Sequence, residues 1–130
     1  MKKPWYISMW KEGKLLDWWT VIHIIDGMFL AGISILLGFS FYLGFLITLA
    51  ILLIWEIIEP PETAANKIVD VITSILGFFI YISLKSQALF IIVTTLAISL
   101  NFWAWILTKN YKKFSLSKNQ FEKKQIIFKN

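Results

Sequence analysis

Residues 27–55 read GMFLAGISILLGFSFYLGFLITLAILLIW, an unbroken run with no charged side chain. One helix needs only about 20 apolar residues to cross the hydrocarbon core of a bilayer. Extended to its polar borders, Thr20 and Glu59, the run holds two crossings, and Gly38-Phe39-Ser40 supplies the break between them. The expected spans are 20–38 and 40–59. Beyond them, Pro60-Pro61 stops the second helix, because proline lacks an N–H and disfavours helix in the residue before it. Thr63 suits the N-cap of a third helix over 64–84. Lys85-Ser86-Gln87 makes the next turn, and 88–108 is a fourth uncharged span. A helical core in water would need polar faces that these segments lack. The expected fold is all-α: an integral membrane four-helix bundle over 20–108, preceded by an interfacial segment (1–19) and followed by a basic tail (109–130).

Composition agrees. Of 130 residues, 58% are hydrophobic and 16% charged, and the mean hydropathy is +0.68. Soluble domains carry about 45–50% apolar and about 25% charged residues, so soluble enzyme folds and disordered chains are poor candidates. Cysteine is absent, which excludes disulfides, thiolate metal sites and a cysteine nucleophile. No Gly-rich phosphate loop, nucleophile elbow or HExxH motif occurs.

All 13 basic residues are lysines and the net charge is +5, a balance that suits either nucleic acid or an anionic membrane. Their positions decide. Four crossings put both termini and the 60–67 loop on one side, and that side carries every lysine except Lys85. By the positive-inside rule it is the cytoplasmic side of the inner membrane. Trp5, Trp10, Trp18, Trp19, Trp55, Trp103 and Trp105 all fall at the same interface, where an indole buries its ring and keeps its N–H wet. Anchoring explains the lysines without a nucleic-acid partner. Lys2 and Lys3 fit the start of a signal peptide, but Lys11, Glu12, Lys14 and Asp17 interrupt its apolar core, so the segment reads as interfacial. In the tail, Phe114, Phe121 and Phe128 recur every seven residues among lysines. An amphipathic helix on anionic headgroups and a frayed, solvated tail are both open readings.

Polar groups gather near the cytoplasmic end of each expected span. They are Thr20, His23 and Asp26 on the first, Glu56 and Glu59 on the second, Asn66, Asp70, Thr73 and Ser74 on the third, and Asn101 on the fourth. Because the helices alternate direction, all of them reach one shallow level. They also follow helical faces: Asn66, Asp70, Ser74, Gly77 and Tyr81 form one stripe. Thr20, His23, Gly27, Ala31, Ser34 and Gly38 form another, and Thr94, Ala97, Asn101, Ala104 and Thr108 a third. Small residues let membrane helices approach closely, so these faces are expected to point inward. An aspartate at the centre of a span costs about 2.5–3.5 kcal/mol. A carboxylate there must be protonated, paired, wetted or bound to a cation.

Taken in order, His23 with Gly27, Trp55-Glu56-Ile57-Ile58-Glu59, and Asp70 with Ser74 and Gly77 resemble the core of VanZ-like and YjdF-type membrane proteins. The resemblance covers residues 17–81, with Ser74 where those proteins usually carry Asn and Lys67 as the only cation near the Asp. It implies a small bacterial polytopic protein of the kind linked, in VanZ itself, to glycopeptide tolerance.

Two functional readings follow. In the first, a polar site at the cytoplasmic leaflet binds or processes a lipid or polyprenyl headgroup, or a cation. His23, Glu56, Glu59 and Asp70 are then the acid/base candidates, with Asp26, Asn66, Ser74 and Asn101 orienting the ligand. A divalent cation on His23, Glu56 and Asp70 is the metal alternative. In the second, the chain is a non-catalytic structural or regulatory subunit, its polar groups a hydrogen-bonded network and its partner a larger membrane protein or a second copy of itself.

Overall fold

The computed structural model describes residues 18–58 and 64–106. The interfacial segment up to Asp17, the 59–63 connection with Glu59, and the chain from Leu107 onward, including Thr108 and the basic tail, lie outside the described residues. Among the described residues all regular secondary structure is helical: α1 is Trp18–Leu36, α2 Phe41–Ile58, α3 Ala64–Leu84 and α4 Gln87–Ile106. Their lengths of 18 to 21 residues correspond to about 27–32 Å at 1.5 Å per residue, which matches a hydrocarbon core of about 30 Å. All four are long and apolar enough to cross a membrane.

The turns explain where the helices stop. Gly38 has φ +71°, a left-handed conformation that costs a side-chain-bearing residue about 1–2 kcal/mol. Around it, Phe39 N–H donates to the Ser34 carbonyl (3.0 Å) and Gly38 N–H to the Ile35 carbonyl (3.0 Å), the paired bonds of a Schellman end. Gly38 is thus a turn residue, exposed, and not the last member of the inward stripe on α1. That stop falls two residues before the expected end, and α1 recovers the length at its start by taking in Trp18 and Trp19. Ser40 then caps α2, its Oγ accepting from Leu43 N–H at 3.4 Å. At the second turn Lys85 has φ 43°, and its N–H bonds the Tyr81 carbonyl at 2.9 Å. Ser86 Oγ accepts from Leu89 N–H at 3.3 Å, so α4 begins at Gln87, one residue earlier than the sequence suggests.

Contact order fixes the directions. His23 meets Asp70 and Gly27 meets Ser74, in ascending order along both chains, so α1 and α3 are parallel. Ser34 meets Gly44 while His23 lies near Glu56, so α2 runs against α1; Gly32 meets Phe90 while Asp26 meets Asn101, so α4 does too. The α1–α3 seam is the tightest. A Cβ added to Gly27 would sit 1.8 Å from the Ser74 carbonyl oxygen, and one on Gly77 would sit 2.0 Å from that of Ile24. Each backbone therefore presses a carbonyl onto the other's glycine, an approach open only to residues without a side chain.

The bundle has two unlike ends. Toward the Gly38 and Lys85 turns the packing is aromatic: Phe45 meets Phe78 edge to face at 5.7 Å, Tyr81 meets Phe90 likewise at 6.1 Å, and Phe41 joins Phe79 at 6.2 Å. At the opposite end the interior is polar. Outward, α2 exposes Leu46, Ile54 and Ile57, and α4 exposes Ile91, Ile98 and Phe102. Such a surface is at home in lipid tails and costly in water.

Candidate metal centre

The inward stripes deliver their polar members to one place. On α3, Asp70, Ser74, Gly77 and Tyr81 are buried and Asn66 is half-buried; on α1, Thr20, His23, Gly27, Ala31 and Ser34 are buried. On α4, Ala97 and Ala104 are buried and Thr94 and Asn101 are half-buried on the same face. Glu56 is the buried residue of the last turn of α2, while its neighbours Trp55 and Ile57 face outward.

Three of these side chains, each from a different helix, converge. One ligand atom from each of His23, Glu56 and Asp70 lies within 4.8 Å of the other two, and the three residues are 5%, 8% and 7% exposed. His23 Nε2 stands 3.7 Å from Asp70 Oδ2, too long for a hydrogen bond. It is close to the separation of about 3.4 Å between two ligands that lie about 2.1 Å from a tetrahedral ion. Two carboxylates this near each other repel unless a proton or a cation lies between them, and burial removes the water that would screen them.

The surroundings hold the three residues in place. The His23 ring leans on Trp19, centroids 6.4 Å apart. Thr73 Oγ1 donates to the Asp70 carbonyl at 3.1 Å, one turn of α3 closing on itself. Lys67, half-buried and three residues before Asp70, extends its ammonium to the main-chain carbonyl of Glu56. There it caps the negative end of α2 and ties that end to α3.

Asp26 and Asn101 form a separate contact. Asn101 Nδ2 donates to Asp26 Oδ1 at 2.8 Å and to the Ala97 carbonyl at 3.0 Å. The pair lies one turn further along α1 than His23 and bonds α1 to α4, so neither residue is a member of the three-residue cluster. Ser74, fully buried, sits where the α1 and α3 backbones touch at Gly27, which makes it a seam residue. Glu59 falls outside the described residues.

Two features escaped the sequence reading. The bond from Lys67 to the end of α2 pairs a side chain with a backbone group, and no spacing announces such a contact. The aromatic end was signalled by Phe41 and Phe45, four apart on α2, and by adjacent Phe78 and Phe79, but those letters equally suit lipid-facing positions. No family model matches the chain, and neither does any curated protein or solved structure.

Proposed function

We propose that this chain is an integral protein of the cytoplasmic membrane, both termini inside, that holds a divalent cation on His23, Glu56 and Asp70 just inside the cytoplasmic edge of the hydrocarbon core. The observation that carries the proposal is the meeting of an imidazole and two carboxylates from three helices, all buried, within 4.8 Å of one another. Helices that needed these residues only for packing would have no reason to bring two acids together in a low-dielectric interior, where each is costly. A divalent ion balances the two carboxylates and replaces their repulsion with attraction. His23 lies five residues after the start of α1 and Asp70 six after the start of α3, so the ion sits about 7.5–9 Å below the helix ends. A headgroup phosphate meets it by dipping below the hydrocarbon edge.

Metal content per chain, measured by elemental mass spectrometry after purification in mild detergent, tests this. His23→Ala, Glu56→Gln and Asp70→Asn should each weaken cation affinity by more than about 100-fold, since loss of even an indirect partner of a ligand costs 10–100-fold. Helical circular dichroism should be retained, and Lys85→Gln should bind like the unaltered chain. Full cation binding by all three variants would remove the basis of the proposal.

A further inference from the structure

The donor set and its geometry narrow the class of ion and imply a vacant coordination position. We propose, resting on the cation-binding reading above, that the centre takes a four-coordinate transition cation of the Zn²⁺ class, with three protein ligands and a fourth position that exchanges an oxygen ligand such as water or a phosphoryl oxygen.

Three observations converge on this. First, one donor is an imidazole nitrogen, a ligand suited to Zn²⁺, Co²⁺ and similar ions, whereas Mg²⁺ and Ca²⁺ select oxygen. Calcium takes six to eight oxygens, and two carboxylates supply four at most. Second, the three residues are almost wholly buried. Magnesium keeps several waters when it binds, which side chains this buried disfavour far more than a single exchangeable ligand. Third, the spacing admits a four-coordinate ion. Ligands about 2.1 Å from a tetrahedral centre lie about 3.4 Å apart. His23 and Asp70 stand at 3.7 Å, with all three ligand atoms within 4.8 Å of one another.

The vacancy follows from the ligand count. Structural zinc sites use four protein ligands, while sites that bind a reactant use three and leave the fourth to water or substrate. Among the described residues this cluster has three His or acidic members, and the remaining described acid, Asp26, is engaged by Asn101 one turn away.

The test uses the full chain in detergent, stripped with a chelator and titrated with Zn²⁺, Co²⁺, Mg²⁺ and Ca²⁺ separately. One Zn²⁺ or Co²⁺ should bind per chain at least about 100-fold more tightly than Mg²⁺ or Ca²⁺. The Co²⁺ form should show the intense visible absorption of four-coordinate cobalt, and His23→Gln should abolish that absorption. Inorganic phosphate, and separately vesicles of phosphatidic acid against phosphatidylcholine, should shift the bands. A shift with phosphate and with phosphatidic acid marks an open position for any phosphoryl oxygen; a shift with the lipid alone marks one restricted to the membrane source. Mg²⁺ or Ca²⁺ binding as tightly as Zn²⁺, the pale spectrum of six-coordinate cobalt, or bands that no phosphoryl ligand moves would each overturn the inference while leaving a cation site in place. Absence of stoichiometric binding by all four ions would instead defeat the cation-binding reading itself.

Discussion

Asp26 and Asn101 are the plainest case of a single residue whose role depends on its partner. An acid in the second turn of a membrane helix has several outlets by sequence alone, including headgroup water and its own neighbours Thr20 and His23. In the structure its carboxylate accepts from an amide on α4, 75 residues away. Hydrogen bonds across membrane helices are worth about 0.6 kcal/mol on average and up to about 1.7. Asn101→Leu should therefore lower stability by about 1 kcal/mol, read as a drop in the detergent melting temperature. Asp26→Leu combined with Asn101→Leu should recover most of that loss, because removing both partners leaves no buried group unsatisfied. A double variant no more stable than Asn101→Leu alone would show that the two residues act independently.

At the scale of the helix, the α1–α3 seam governs the centre. Gly27 and Gly77 accept a carbonyl from the opposite helix at a distance no side chain tolerates, and His23 and Asp70 lie within about a turn of that contact. Gly27→Ala forces backbone against backbone and should cost about 1–3 kcal/mol, with cation affinity falling because His23 moves away from Asp70. Gly32→Ala is the comparison. Its added Cβ would meet the ring of Phe90, which can turn aside, and it lies further from the centre. Thermal melting and cation titration on both variants should rank Gly27→Ala as the more damaging by each measure; equal damage would mean that the seam does not hold the site.

At the scale of the molecule, the two ends differ: one packs through aromatic rings, and the other is polar and, under the proposed reading, binds the cation. Orientation in the membrane follows, under the proposed reading, from lysine placement. The chain has no cysteine, so Lys85→Cys creates a unique thiol on the exposed turn between α3 and α4. In intact cells it should react with a membrane-impermeant maleimide, since the positive-inside rule places that turn outside. Labelling only after lysis would reverse the proposed topology and put the cation centre at the outer leaflet.

The letters alone determined the four crossings, the inward faces and the shared level of the polar groups. These depend on local properties: an uncharged run must be buried in something, a helix repeats every 3.6 residues, and small residues mark where helices touch. They also brought His23, Glu56 and Asp70 to one depth, which is how the three could be named together before any coordinates. Depth is not distance, however. Which side chains at that level meet depends on how each helix is rotated and on which pair packs closest, and this is a property of the assembled bundle. Only the tertiary structure paired Asp26 with Asn101 apart from the three-residue cluster, set Lys67 on the end of α2, and placed Ser74 where the α1 and α3 backbones touch. Each of these contacts joins helices through a particular rotamer against a particular neighbour, and no periodicity along a single chain records that.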